Sequence, residues 1–357
     1  MVRALAIAGI IIENYHSTLS WNNAGTLSDL FTSAAAEVGG TYVHMFFILS
    51  GYGLTLACLR KGTPSWTAWV SERFRKIVIP YWAAVIVAFA AANLSHLWAP
   101  AGWQASYSGV TLLAYLAFLR NVYVPGWTLN TSFWFMPVII GLYAMFPLLL
   151  QVMRRTGMTG LMVFSLLVAN VSIAVCVHTG FTVAHQGTVP LFFADEFALG
   201  MVLACITDHR PDLLRKLMGF RFFLLGIAFY ALAAVISEYA LLGYGSTAYN
   251  DLFSAIGLYL MLLCICRWIG DAFSPGALNV FDRVSRRSYM IYLIHWPILA
   301  YGLNPVIGPW FKAHVGAIPM LLSSFVFVWL IYILAESISW LGRKATPVPV
   351  QTHPLSQ

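Results

Sequence analysis

Apolar runs of membrane-spanning length recur along this chain, and its basic residues fall almost entirely on one side of them. A run of about 17–25 apolar residues can cross a bilayer as a helix. Such runs predict spans near residues 3–20, 40–59, 76–96, 132–152, 159–178, 189–207, 220–241, 249–269, 286–303 and 317–341. Of the 20 lysines and arginines, all but Arg120 and Lys312 then lie on the side of the two termini. Because basic loops stay in the cytoplasm, we expect an all-α, polytopic integral membrane protein with about ten spans and both termini cytoplasmic.

Composition supports a membrane protein and argues against a nucleic-acid-binding one. Hydrophobic residues make up 60% of the chain and charged residues 9%, whereas soluble domains carry about 25% charged residues. We therefore interpret the net charge of +7 as a signal of topology and of attraction to anionic lipid headgroups. The length of 357 residues predicts one membrane domain over residues 1–344 and a disordered cytoplasmic tail over 345–357.

The N-terminal run has an alternative interpretation as a secretory signal peptide. Arg3 precedes the apolar stretch, and the alanines at 34–36 could mimic a cleavage site. Glu13 interrupts the apolar core, however, and the alanines lie too far downstream. We therefore interpret this run as the first span.

Polar residues inside the predicted spans are candidates for function, because a charge at the bilayer centre costs about 2.5–3.5 kcal/mol or more. They are Glu13, Asn14, His16, His44, Asn170, Asp195, Glu196, His295 and Glu336. We expect Asp195 and Glu196 to pair with buried polar groups. For His295, a hydrogen bond within the bundle and a contact with substrate are both compatible with the sequence. None of the five cysteines has a metal-binding spacing, and we expect no metal site.

The stretch from about residue 96 to 131 is the longest one without a span and is rich in aromatic residues, including Trp127. Its apolar run at 109–119 is too short to cross a bilayer, which indicates a re-entrant or interfacial piece. The aromatic side chains are either interfacial anchors or a platform for sugar rings.

Six short segments occur in order along the chain and together carry a family resemblance. They are Arg-Ala-Leu-Ala-Ile at 3–7, Phe-Phe-Ile-Leu-Ser-Gly-Tyr at 46–52, the basic segment leading to Pro-Tyr at 72–81, Phe-Trp-Phe at 133–135 followed by Tyr143 and Pro147, Glu-Phe-Ala-Leu-Gly at 196–200, and Ser-Tyr-Met-Ile-Tyr-Leu-Ile-His-Trp-Pro at 288–297. They resemble segments of the membrane acyltransferase-3 family, whose members are multi-span O-acyltransferases of surface glycans, antibiotics and lipids. The resemblance implies a membrane enzyme.

The resemblance also implies a catalytic histidine in the first span, but this chain departs from the family's spacing. The family places that histidine with ten residues between it and the arginine; here the position holds Asn14, and His16 follows two residues later. At about 100° per residue, Asn14 lies about 20° from Arg3 around a helix and His16 about 220° from it. Either His16 serves as the base at a distorted helix end, oriented by Glu13, or His44 takes its place. Imidazole suits this task because it accepts a proton near neutral pH.

The expected donor is an acyl-coenzyme A, with acetyl as the first choice and succinyl as the nearest variant. Its phosphates require cations at the cytoplasmic side. Arg73 and Lys76 occupy the spacing of the family's Arg-x-x-Arg motif, and Arg75 and Arg3 lie on the same side. The alternative is that these residues only fix the topology.

The expected acceptor is a hydroxyl of an exopolysaccharide, an O-antigen or another envelope glycan, at a bacterial cytoplasmic (inner) membrane. Candidate substrate contacts are Trp134, Tyr143, His295 and Trp127. An acyl-enzyme at Ser50 lacks the Gly-x-Ser-x-Gly elbow of serine hydrolases. A transporter or exporter of small polar or acylated compounds is the rival hypothesis; it predicts broken half-helices in repeated halves, which the sequence does not show. A receptor or scaffold would leave the intramembrane histidines and the Arg73 cluster unexplained.

Overall fold

The computed structural model describes residues 1–19, 27–99, 106–122, 129–179, 189–238 and 245–345, and in these ranges the chain is helical without any strand. Trp127 and the predicted disordered tail beyond residue 345 lie outside them. The α-helices are α1 Val2–Leu19, α2 Leu27–Lys61, α3 Trp66–Arg73, α4 Ile79–Leu94, α5 Gly109–Leu116, α6 Phe135–His178, α7 Ala194–His209, α8 Pro211–Leu217, α9 Phe220–Glu238, α10 Gly245–Ala272, α11 Pro275–Pro297, α12 Asn304–His314 and α13 Ala317–Ala345. The all-α prediction is confirmed.

Seven helical stretches in the described part of the chain are long and apolar enough to cross a membrane. The predicted spans 132–152 and 159–178 form one helical stretch of 46 residues, Thr131–Cys176. It is broken at Gly157, whose φ of 73° favours glycine. Two further helices, Pro211–Leu217 and Phe220–Ile236, are together long and apolar enough to cross a membrane, but the chain bends by 64° between them. The structure therefore shows a polytopic membrane protein.

Helix α1 is not among the seven, because Glu13, Asn14 and His16 make its second half polar. It nevertheless lies inside the bundle, in contact with α2, α11, α12 and α13. A polar helix end held among apolar helices is the arrangement expected of a functional residue cluster in a membrane protein.

Helices α2 and α7 cross so closely that only glycine fits at the contact. A Cβ atom on Gly51 would collide with the carbonyl oxygen of Phe197, and one on Gly200 would collide with the carbonyl oxygen of Ile48. Small residues let membrane helices approach backbone to backbone in this way. This close approach fixes the positions of Ser50 and the start of α7.

The short apolar run at 109–119 forms α5, an eight-residue helix that is too short to span a bilayer, as predicted. Two side chains of α4 hold it in place. Tyr81 donates through its hydroxyl to the Tyr115 carbonyl at 2.9 Å, and Trp82 Nε1 donates to the Leu116 carbonyl at 2.9 Å. These bonds attach the C-terminal end of α5 to α4; the Tyr115 carbonyl also accepts from the Phe118 N–H at 3.1 Å.

Candidate active site

A cavity of about 300 Å³ opens between α1, α2, α6 and α11, and three cations line it. Arg3 comes from the start of α1, Arg73 from the end of α3, and Lys76 from the π-helical turn that follows. The lining also includes the hydroxyl side chains Ser50, Tyr143, Ser288, Tyr289 and Tyr292. The fold thus brings together basic residues that are about seventy positions apart in the sequence, and we call this space the cationic cavity.

Arg73 is half-buried and carries an unsatisfied donor. Its Cζ lies 5.8 Å from the centre of the Tyr143 ring, and its buried Nε has no hydrogen-bond acceptor among the described residues. Tyr143 in turn donates through its hydroxyl to Ser50 Oγ at 3.3 Å. Tyr143, which the sequence suggested as a substrate contact, therefore lies with the cations expected to bind the donor.

A π-helical turn, Phe74–Val78, continues from α3 and carries Lys76. Tyr289 of α11 donates through its hydroxyl to the Ile77 carbonyl at 2.7 Å and so anchors the turn. Lys76 Nζ lies 2.5 Å from Glu72 Oε1 in a largely exposed pair, which contributes little to stability. Arg75 is exposed and does not belong to the lining of the cavity. Irregular turns of this kind are frequent at functional sites.

Arg3 reaches the cavity from the other side. Its Nη2 donates to the Leu49 carbonyl at 3.3 Å, and a Cβ atom on Gly53 would lie 3.3 Å from the same nitrogen. Gly53 thus leaves room for the guanidinium against α2. The cation is held at one end of α1 while its other donors remain available at the cavity.

The opposite end of α1 carries a polar cluster built around Asn14. Asn14 Nδ2 donates to Glu13 Oε2 and to the Ile10 carbonyl, both at 2.8 Å. Ser132 Oγ donates to Asn14 Oδ1 at 3.3 Å. Asn14, at the position where the family resemblance implies a histidine, is therefore part of a hydrogen-bonded network.

His16 is half-buried, and the geometry of α1 decides which side it faces. The helix runs without interruption from Val2 to Leu19, so the distortion that would turn His16 towards Arg3 is absent. Glu13 precedes His16 by three residues, which places the two about 60° apart around the helix and makes them neighbours on its surface.

His44 lies in a buried cluster with two carboxylates. Its Nδ1 is 2.9 and 3.1 Å from the two oxygens of Glu196, and its Nε2 is 3.6 Å from Asp251 Oδ1. The pairing expected of Glu196 is confirmed. Asp251, the third residue of the predicted span 249–269, was not singled out from the sequence. Carboxylates at both ring nitrogens favour the charged imidazolium, which has no lone pair to accept a proton.

Trp134 packs against this cluster, with its ring centre 6.4 Å from that of His44 and 6.0 Å from that of Phe193. It does not belong to the lining of the cationic cavity. Two of the aromatic residues suggested as substrate contacts, Trp134 and Tyr143, thus lie in different surroundings.

His295 is completely buried on α11. Its Nδ1 lies 2.7 Å from the Tyr292 carbonyl, which fixes the proton on this nitrogen. Its Nε2 has no hydrogen-bond partner in the described part of the chain. Tyr292 lines the cationic cavity and donates through its hydroxyl to the Ser132 carbonyl. His295 therefore stands next to the residue that connects the cavity with the Asn14 network.

Arg120 supports the site structurally. From the sequence it was noted only for its position on the side with few basic residues. It is buried, and its guanidinium donates to Asn121 Oδ1 at 3.2 Å and to the Thr131 carbonyl at 3.4 Å. Asn121 Nδ2 donates to the Trp134 carbonyl at 2.9 Å. Together they hold the Thr131–Trp134 turn, which presents Ser132 to Asn14. The sequence signal for the role of Arg120 was its presence on a side that is otherwise poor in basic residues.

Within the described residues, no group of three or more histidine, cysteine, aspartate or glutamate side chains is arranged to hold a metal ion.

Comparison with known families gives one assignment. A model of the acyltransferase-3 family, described as an acyltransferase domain, matches residues 1–333. No curated protein and no solved structure matches the chain. The matched region contains the cationic cavity, the Asn14 network and the His44 cluster, so it includes every candidate site described above. The chain therefore belongs to the acyltransferase-3 family and is a membrane acyltransferase.

Proposed function

We propose that this enzyme moves an acyl group, with acetyl as the first choice, from acyl-coenzyme A to a hydroxyl of an envelope or exported carbohydrate. The observation that carries the proposal is Arg73, whose buried Nε has no acceptor among the described residues and which shares its cavity with Arg3 and Lys76. Charged groups of this kind pair with phosphate oxygens through short, charge-assisted hydrogen bonds. The donor supplies an activated thioester carbonyl.

The proposed orientation follows from the distribution of charge. The cationic cavity then lies at the cytoplasmic side of the bacterial inner membrane. Ten spans place both termini in the cytoplasm, and residues 345–357 form a cytoplasmic tail. His16 then lies 13 residues along α1 from Arg3, a separation of about 20 Å on an ideal helix. The pantetheine arm of the donor has to cover this distance, which explains why the two functional ends of α1 lie so far apart.

For the proton transfer we propose His16 on the undistorted α1, where it does not face the Arg3 side and Glu13 is its neighbour on the helix surface. In this step the acceptor oxygen forms a bond with the thioester carbon, the carbon–sulfur bond breaks, and coenzyme A leaves with the electron pair. His16 takes the hydroxyl proton and later returns it to the leaving sulfur or to water. His44 is the weaker candidate because carboxylates face both of its nitrogens. We propose His44, Glu196 and Asp251 as a charge cluster that holds the helices around Trp134.

The acceptor is proposed to enter from the end that carries Asn14, Ser132 and Trp134. Aromatic faces such as that of Trp134 stack against the apolar faces of sugar rings, and the Glu13–Asn14 pair supplies hydrogen-bonding groups. Exopolysaccharide, O-antigen and other envelope glycans are the classes to examine. His295 and Trp127 remain proposed substrate contacts.

The test is an acyl-transfer assay on the purified protein in lipid nanodiscs, with radiolabelled acetyl-coenzyme A and a panel of bacterial glycans. We expect label in an alkali-labile ester and release of one free thiol for each ester formed. Failure to bind coenzyme A would overturn the donor assignment. Binding without any ester product, together with movement of the labelled compound across proteoliposomes, would favour the rival hypothesis of a transporter.

A further inference from the structure

A second cavity, of about 360 Å³, lies between the start of α3 and the middle of α6, and the proposed function does not yet use it. Its lining includes Trp66 and Trp69 from α3, and Phe146, Gln151 and Arg154 from α6. We call it the aromatic pocket. Aromatic rings, a polar side chain and a cation line this pocket together, so its chemistry suits a planar, charged ligand.

Three rings in this pocket are nearly parallel. The Trp66 and Trp69 ring centres are 5.3 Å apart with an interplanar angle of 16°, and those of Trp69 and Phe146 are 6.3 Å apart at 16°. Trp66 is 54% exposed, whereas Trp69 is 7% exposed. Parallel rings with one exposed member are suited to stack on a further planar group.

The pocket also holds an unsatisfied donor and a cation. Trp69 Nε1 is buried and has no hydrogen-bond acceptor among the residues that the structure describes. A buried indole N–H normally has a partner, so its lack of one indicates an acceptor supplied by a ligand. Arg154 Nη2 donates to Thr63 Oγ1 at 2.5 Å, and the rest of its exposed guanidinium borders the pocket.

The aromatic pocket and the cationic cavity lie along the same helix. Trp66, Trp69 and Arg73 occupy positions i, i+3 and i+7 of one helical stretch, so they share one face. On an ideal helix Trp66 and Arg73 are about 10 Å apart along the axis. The Trp69 ring centre lies 6.4 Å from that of Tyr143, the ring beneath Arg73. One extended ligand could therefore contact both sites.

We propose that the aromatic pocket binds the adenosine 3′-phosphate end of coenzyme A, with the diphosphate of the same molecule in the cationic cavity. The adenine stacks on the exposed face of Trp66, an oxygen of the same nucleotide accepts from Trp69 Nε1, and Arg154 pairs with the 3′-phosphate. This assignment rests on the proposed donor. The aromatic pocket would account for recognition of the adenosine part of coenzyme A, whereas the cationic cavity accounts only for binding of its diphosphate.

The first test measures the dissociation constant of coenzyme A for Trp66→Ala in nanodiscs. Loss of base stacking is expected to weaken binding about 5- to 150-fold. Trp329→Ala is the matched control, because Trp329 is similarly exposed, at 52%, on α13; its affinity should equal that of the wild type. Unchanged affinity in Trp66→Ala would make the tryptophans interfacial anchors and overturn the proposal.

The second test compares coenzyme A with 3′-dephospho-coenzyme A. Arg154→Gln should abolish the preference of the wild type for the 3′-phosphate, whereas the adjacent exposed Arg155→Gln should retain it. A preference retained in Arg154→Gln would remove the 3′-phosphate from this pocket and overturn the assignment. If the wild-type protein bound no coenzyme A at all, the donor proposal itself would be refuted. If it bound coenzyme A normally but neither Trp66→Ala nor Arg154→Gln had its expected effect, only the role of the aromatic pocket would be refuted.

Discussion

Replacing Arg73 by alanine tests the donor site most directly, because the structure separates its binding role from its structural role. The side chain is half-buried, makes one cation–π contact with Tyr143, and leaves its Nε without an acceptor in the described part of the chain. Losing that cation–π contact at a partly exposed site should cost about 0.5–1 kcal/mol of stability. The folded protein should therefore survive the substitution.

The effect on donor binding should be larger. A hydrogen bond to a charged group contributes about 1.5–3 kcal/mol, so its loss should weaken coenzyme A binding about 10- to 150-fold. Arg73→Lys keeps the charge but removes the planar fork and the Nε donor, and we expect an intermediate loss. Isothermal titration in nanodiscs, with thermal unfolding of each variant as a fold check, measures both quantities.

Arg75→Ala is the matched control for this experiment. It removes the same charge two residues away, from an exposed position outside the cavity lining, and its dissociation constant should stay within about twofold of the wild type. A well-folded Arg73→Ala protein with wild-type affinity would refute the phosphate role. Equal losses in both variants would show that net charge alone attracts the donor.

Three further predictions concern the base, the helix crossing and the topology. His16→Ala should lower single-turnover transfer about 10²–10⁴-fold without loss of donor binding, and full activity of this variant would exclude His16 as the base. His44→Ala should destabilise the fold by about 3–5 kcal/mol, because it leaves buried carboxylates unpaired. Gly200→Ala should lower the unfolding temperature, since overpacking costs about 1–3 kcal/mol. Gly270→Ala is the control and should not lower it, because the space around its Cβ is open. Equal unfolding temperatures of the two variants would disprove the tight crossing. A reporter fused after Lys344 should read cytoplasmic, and a periplasmic signal would reverse the proposed membrane orientation.

The helical class could be predicted from the sequence because long apolar runs have to form helices in order to cross a bilayer. Boundaries were less predictable where helices join. The stretch Trp66–Leu97 starts ten residues before the predicted span at 76, because α3 continues through a π-helical turn into α4. The break at Gly157 matches the gap between two predicted spans, since glycine tolerates positive φ there.

Residues of the candidate site could be selected from the sequence more readily than their neighbours in space. Arg73 and Lys76 were selected by the spacing of the family motif and Arg3 by its membrane side, and all three line one cavity. The partners of His44 could be anticipated only in part, because Glu196 and Asp251 reach it from distant helices. No local pattern encodes that contact. The same holds for Tyr143, whose place under Arg73 depends on how α3 packs against α6.

The direct backbone contact between α2 and α7 has a mechanical consequence. At Gly51 and Gly200 no side chain separates the two helices, so no change of rotamer can absorb a displacement there. Ser50 borders the cationic cavity, and His44, less than two turns away on α2, is held to Glu196 of α7. We therefore expect the two helices to tilt together. A displacement at the cationic cavity would then be accompanied by motion around Trp134.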